Sequence, residues 1–174
     1  MKDKYVELAS NALENWLKHY REISDPSDYP QEMLTQKAGV FVSLHLKDGS
    51  LRGCIGTYLP SRSNIAQEII HNAIAAATND PRFPPVTTEE LPQIQYSVDV
   101  LSKPRSVPLN FSLEPKKFGL IVATPDGRRG LFLPDIEKVE TAEEQIRFCK
   151  MKAGIYEDEP VTFQIFTVER HVLK

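Results

Sequence analysis

The stretch from Gly39 to Thr57 constrains this chain more than any other part of it. Gly39-Val40-Phe41-Val42-Ser43-Leu44-His45-Leu46 is β-branched, aromatic and largely apolar, and it runs into Asp48-Gly49, a pair suited to a tight hairpin turn. The spacing predicts that residues 40–46 pair antiparallel with residues 51–58. A sheet that begins with a hairpin needs helices to cover one face, and the flanking sequence supplies them. Tyr5, Leu8, Ala9, Ala12, Leu13, Trp16, Leu17 and Tyr20 recur at steps of three and four, predicting a helix that ends near Arg21. Ile65, Ile69, Ile70, Ala73, Ile74 and Ala77 form a second stripe, capped by Ser63 or Asn64 and running to about Asn79.

Between and beyond these elements, prolines and turn residues punctuate the chain. Ser24-Asp25-Pro26-Ser27-Asp28-Tyr29-Pro30 reads as a loop, and Asp80-Pro81-Arg82-Phe83-Pro84-Pro85 as a stiff connector in which a side chain can be held in place. Thr88-Glu89-Glu90-Leu91 suits one helical turn, and residues 94–101 alternate like a half-buried strand. Residues 118–124 and 130–134 flank Pro125-Asp126-Gly127 as a second hairpin. Thr141 and Glu144 have capping-box spacing ahead of a helix that stops at Gly154, and residues 161–168 alternate as a final strand. The order is helix, hairpin, helix, strand, hairpin, helix, strand, without the regular βαβ alternation of a parallel sheet. The expected fold is α+β, mainly antiparallel sheet flanked by helices, in one compact unit over residues 1–174, of a length for one domain or two small lobes sharing a core.

Composition narrows the function classes. Hydrophobic residues make up 41% and charged residues 26% of the 174 positions, enough for a packed core. The net charge of −3 gives no global field toward a nucleic-acid backbone, and basic runs interleaved with aromatics are missing, which disfavours nucleic acid as a partner. No run approaches the roughly 18 apolar residues that cross a bilayer, and Met1-Lys2-Asp3-Lys4 leads into an amphipathic stretch, so the expected location is cytoplasmic, away from membranes. The two cysteines, Cys54 and Cys149, form no CxxC and are expected to be reduced. His19, His45, His71 and His171 have no metal-ligand spacing, and neither GxGxxG nor a P-loop occurs, so neither metal nor cofactor is expected.

The candidate chemistry centres on Leu51-Arg52-Gly53-Cys54-Ile55-Gly56. Gly53 and Gly56 mark a bulge or the close approach of another backbone or a ligand. Period-two geometry puts Arg52, Cys54 and Gly56 on one face, where a guanidinium favours the nucleophilic thiolate. A small buried hydrophobe is the other reading of Cys54. Arg82 can join Arg52 in clamping an anion, or pair internally with Asp80. Cys149 falls on the apolar face of its helix. His71 serves Cys54 as a base only if the fold unites them, and Arg128-Arg129 most simply solvates a hairpin tip.

Leu51-Arg52-Gly53-Cys54-Ile55-Gly56, with Asp80-Pro81-Arg82-Phe83-Pro84-Pro85 about two dozen positions later, resembles the AMME chromosomal region protein family, also called protein A of the AmmeMemoRadiSam system. The similarity extends through Gly39-Val40-Phe41-Val42, Glu90-Leu91-Pro92, Gly130-Leu131-Phe132-Leu133-Pro134 and Lys152-Ala153-Gly154. It implies an α+β fold with a larger and a smaller lobe. It also implies microbial association with a Memo-like protein, itself similar to class III extradiol dioxygenases, and with a radical S-adenosylmethionine enzyme. Carried over by position, the family's site falls on Arg52, Gly53, Cys54 and Gly56, with Asp80, Arg82 and Phe83 as neighbours. Two functions remain open: an enzyme or enzyme component that uses Cys54 and Arg52 on an anionic small molecule, and a non-catalytic ligand-binding or protein-docking scaffold.

Overall fold

The structure is a computed structural model that describes residues 3–24 and 26–172. Met1 and Lys2 of the leading segment, and Asp25 of the proline-flanked loop, lie outside the described residues. The chain divides into two units, one comprising the residues up to Leu101 together with those from Glu169 on, the other Ser102–Val168. Pairing is antiparallel in both sheets wherever the register is defined, and helices flank them, as the α+β reading expects.

In the first unit, α1 (Lys4–His19) begins where the Asp3 carboxylate accepts from the amides of Tyr5 and Val6, satisfying first-turn donors that the helix itself leaves open. It ends at Tyr20, which takes a left-handed conformation with its amide on the Trp16 carbonyl. A five-residue helix, α2 (Gln31–Thr35), follows and buries Met33; it is too short to leave a periodic signal in sequence. The hairpin forms as expected, β1 (Gly39–His45) with β2 (Leu51–Thr57), and Gly49 at its turn sits at φ 86°, where a side chain is strained. Next comes α3 (Ile65–Thr78), capped by Asn64, whose side-chain oxygen accepts from the Gln67 amide. A 3₁₀ turn (Thr88–Gln93) carries a capping box between Thr87 and Glu90 and leads into β3 (Gln95–Leu101).

The strand order is β2-β1-β3-β8, with β8 (Val168–Val172) returning from the end of the chain and β2 at an edge. The helices cover one face. Val40, Val42 and Leu44 of β1 and Tyr96 and Val98 of β3 are buried with Leu8 and Leu13 of α1 and Ile69, Ile70 and Ala73 of α3. Each such aliphatic side chain contributes roughly 1.5–3 kcal/mol when fully removed from water. By strand alternation, Phe41, Ser43, His45, Ser97 and Asp99 point to the opposite face.

In the second unit, β4 (Arg105–Val107), β5 (Gly119–Ala123), β6 (Arg129–Phe132) and β7 (Thr162–Phe166) form a sheet in the order β4-β7-β5-β6. Helix α4 (Ala142–Ala153) packs on β5 and β6, its capping box between Thr141 and Glu144 in place. The approach is close because Gly130 has no side chain: a Cβ there would lie 1.7 Å from the Cys149 carbonyl oxygen. Cys149 is buried, and burial pushes its thiol up to about 12. Arg128 does more than solvate a hairpin tip. Its guanidinium is bonded to Asp126, Glu159 and the Gly154 carbonyl, so it ties the β5–β6 turn to the segment after α4.

Two strands escaped the sequence pattern. β4 has three residues, below any detectable period. β8 follows β7 after Thr167 alone, so the two strands read as one run although they join different sheets.

Candidate functional site

The site belongs to the first unit and starts from the edge strand. Cys54 lies opposite Ser43 on β1, and Ser43 lies opposite Ser97 on β3. The Cys54 amide points away from β1 and donates to Asp80 Oδ2 at 2.9 Å, which makes Cys54 and Ser43 a pair of the closely approaching, non-hydrogen-bonded kind. Their side chains meet: Ser43 Oγ donates to Cys54 Sγ at 3.2 Å. A carboxylate capping an edge-strand amide also blunts the open edge.

Asp80 is 4% exposed and gathers donors from its own loop as well. The Arg82 amide and Nε reach Oδ1 at 3.1 and 3.0 Å, and Nη2 reaches Oδ2 at 2.7 Å. Arg82 beside it, together with the Cys54 amide, holds the Asp80 carboxyl far below the usual carboxylate range. The Arg82 side chain remains 56% exposed, with its guanidinium 5.5 Å from the Phe83 ring centre. Arg82 and Asp80 therefore hold each other, as the internal-pair reading describes, and they do so against Cys54.

Arg52 faces differently. It is 8% exposed and makes a two-pronged bond to Glu90, Nε to Oε1 at 2.7 Å and Nη2 to Oε2 at 3.1 Å, while Nη1 donates to the Pro84 carbonyl at 2.9 Å. The same Glu90 closes the capping box of the 3₁₀ turn by accepting from the Thr87 amide. Arg52 thus fastens the end of the proline connector, and the 3₁₀ turn that follows it, to the sheet edge. A register shift between Leu44 and His45 places Leu51 opposite His45 and leaves Arg52 as the extra residue of the bulge.

The glycines have packing partners. A Cβ on Gly53 would stand 2.1 Å from the Ala76 carbonyl oxygen, so this residue lets the α3 backbone lie directly on β2. A Cβ on Gly56 would meet the Phe41 ring at 2.3 Å, so Phe41 covers Gly56 across the strand pair. In both cases the neighbour is another part of this chain.

The electrostatics reverse one expectation. Burial pushes the Cys54 thiol up, and this outweighs the hydrogen bond from Ser43 and the positive charge of Arg82, both of which pull it down. The guanidinium felt by the thiol is that of Arg82 from the loop, while Arg52, two residues away, is turned to Glu90. On the same outer face, Asp99 is 3% exposed and bonded by Arg170 of β8, Nε to Oδ1 at 2.8 Å and Nη2 to Oδ2 at 3.0 Å. His45, also on this face, is pulled down by burial and by Arg170, so it is a neutral imidazole at pH 7. His71 is not united with Cys54: it stands on α3, which covers the other face, with Nδ1 2.9 Å from Arg62 Nη2.

Sequence reasoning brought Arg52, Gly53, Cys54, Gly56, Asp80, Arg82 and Phe83 to one neighbourhood, and it missed Ser43, Asp99 and Arg170. Ser43 and Asp99 had a signal, each being a polar residue at the outward position of an otherwise apolar alternating run. Arg170 had none. Among the described residues, no helix is long and apolar enough to cross a membrane.

The AMMECR1 family model matches residues 6–171 of this chain. A protein of Thermotoga maritima is 53% identical over 96% of both chains. The protein CA_C1420 of Clostridium acetobutylicum is 48% identical over 98% of this chain, which spans 36% of that longer protein. Among solved structures, the uncharacterized protein PH0010 from Pyrococcus horikoshii superposes with a TM-score of 0.87 at 34% identity, over 95% of this chain and 88% of its own.

Proposed function

The chain belongs to the AMMECR1 family, and on that premise we propose that it is an enzyme or enzyme component that acts on an anionic small molecule at the outer face of the β2-β1-β3-β8 sheet. The supporting observation is the position of Asp80, which bonds the Cys54 amide and the Arg82 guanidinium through a single carboxylate. That arrangement fixes a half-buried thiol and an exposed cation relative to each other before any ligand arrives, which lowers the ordering cost of binding. Arg82 anchors the anion. Arg52 acts behind it by holding the connector, since three of its donors are engaged by Glu90 and Pro84.

Cys54 presents a neutral thiol to the ligand at rest. A covalent step requires loss of its proton, and the hydrogen bond from Ser43 together with the field of Arg82 stabilises the thiolate once formed. In this reading the protein works in the cytoplasm with a Memo-like protein and a radical S-adenosylmethionine enzyme, which contribute metal and radical chemistry. The second reading, a non-catalytic ligand-binding or docking scaffold, draws support from the raised thiol pKa. Both are tested by recovering the protein from its native host, identifying bound small molecules by native mass spectrometry, and assaying the pathway with Cys54→Ala. A bound anion with loss of function in Cys54→Ala supports the enzyme reading. A bound anion with full function retained supports the scaffold, and an absence of anion binding removes the proposal.

A further inference from the structure

The ion pair between Asp80 and Arg82 uses one edge of the guanidinium. Asp80 takes the edge formed by Nε and Nη2, at 3.0 and 2.7 Å, and the Phe83 ring, 5.5 Å from the guanidinium, helps to hold its plane. The edge formed by Nη1 and the second N–H of Nη2 meets no acceptor among the described residues, and the side chain is 56% exposed. A guanidinium held by a carboxylate that is itself 2% exposed thus offers two parallel donors, the geometry that a second carboxylate accepts edge-on.

This fork stands at the head of a polar row. The Cys54 amide points away from β1, and its acceptor, Asp80 Oδ2, is also the acceptor of Arg82 Nη2. In the other direction Cys54 is followed by Ser43 on β1 and Ser97 on β3, and all three residues are partly exposed. The charges on this face cancel in pairs, Asp80 with Arg82 and Asp99 with Arg170, and His45 is neutral at pH 7. One added negative charge is therefore tolerated where two, in a partly dehydrated site, are repelled by Asp80 and Asp99.

Resting on the functional reading above, we propose that the ligand is a monocarboxylate held edge-on by Nη1 and Nη2 of Arg82, and that Ser97 binds a neutral polar group at its far end. The row sets the length. Neighbouring strands lie about 4.8 Å apart, so a ligand that starts at the fork beyond β2 and reaches Ser97 on β3 spans on the order of 10 Å, a chain of about six to eight carbons. Its middle lies over the Cys54 thiol and the Ser43 hydroxyl.

The test is NMR titration of the full chain at constant ionic strength, following the Arg82 side-chain resonances and the Cys54 and Ser97 amides. The probes are hexanoate, octanoate, their ω-hydroxy counterparts, sulfate and methyl phosphate. Both unsubstituted acids are expected to move the Arg82 resonances and to bind about tenfold or more tighter than the two tetrahedral anions. At least one ω-hydroxy acid is expected to bind about threefold or more tighter than its parent, and to lose that advantage in Ser97→Ala, which should leave the affinity of the parent unchanged. Arg82→Lys keeps the charge without the fork and should erase the preference for carboxylate, while the wild-type ratios decide the ligand class even if that variant fails to fold. Sulfate or methyl phosphate binding as tightly as the carboxylates would overturn the monocarboxylate and leave the anionic site standing. A hydroxyl that adds nothing, or an advantage that survives Ser97→Ala, would remove Ser97 from the site. If no probe moves the Arg82 resonances, the anionic site falls and the ligand class with it.

Discussion

The amide of Cys54 and the guanidinium of Arg82 meet at one atom, Asp80 Oδ2, at 2.9 and 2.7 Å. An edge strand and a proline-rich loop are thereby joined through a carboxylate that is almost wholly removed from water. The consequences of that junction can be measured.

Asp80→Asn keeps the shape of the side chain and removes its charge. The folded-state pKa of Asp80 lies below its ordinary 3.8, so its ionised form contributes stability that is fully present above 3.8 and is lost as pH falls through the lower folded value. At pH 7 the variant should be less stable by about 2 kcal/mol, a figure reduced from that of a fully buried pair because Arg82 is exposed. Urea melts of both proteins from pH 7 to pH 2 should converge toward the acid end. A gap that stays constant with pH would show that the charge of Asp80 has no part in the difference.

The Cys54 thiol sits above its ordinary value of 9.0 because of burial, with the Ser43 hydroxyl acting against that rise. Iodoacetamide labelling should therefore be slow at pH 7 and gain speed only above pH 9. Ser43→Ala removes a donor to the thiolate and should move the midpoint of the labelling profile higher still, while Ser43→Thr restores it. A midpoint that falls, or does not move, in Ser43→Ala would mean that the 3.2 Å bond has no bearing on the thiol.

Loss of the Arg52 bond to Glu90 should loosen the connector more than it perturbs the sheet. Arg52→Met preserves much of the apolar volume but leaves the Glu90 carboxylate, 31% exposed, and the Pro84 carbonyl without their partner. A loss of about 2–3 kcal/mol is expected, accompanied by faster amide exchange confined largely to residues 80–93. Exchange that rises equally across α1 and α3 would contradict the role of Arg52 as a local fastening.

Gly53→Ala and Gly49→Ala separate two reasons for glycine. At Gly53 the added methyl meets the Ala76 backbone oxygen at 2.1 Å, so α3 or β2 must shift, with a loss of about 1–3 kcal/mol and altered chemical shifts along α3. At Gly49 there is open space, and the φ of 86° alone sets a loss of about 1 kcal/mol without changes in α3. Equal losses with unperturbed α3 resonances in both variants would dismiss the close-approach account of Gly53.

The sequence by itself determined the elements whose cause is local. The hairpin through Asp48-Gly49, the Asn64 cap of α3 and the Thr141–Glu144 box of α4 each depend on residues a few positions apart, so their signals survive without knowledge of the fold. It also bracketed the candidate site, because Arg52 to Gly56 and Asp80 to Phe83 are unusual residue combinations in short windows. Tertiary structure alone decided how those residues face. Whether Arg52 or Arg82 lies beside the thiol depends on a bulge at the edge of β2 and on Glu90, 38 positions from Arg52, which draws one guanidinium away. The burial that raises the Cys54 thiol comes from the folded packing, and Asp99 meets Arg170 only because β8 returns 71 positions later. Charge and hydrogen-bond energies fall off within a few ångströms, and no pattern along the chain records which distant groups will stand at that distance.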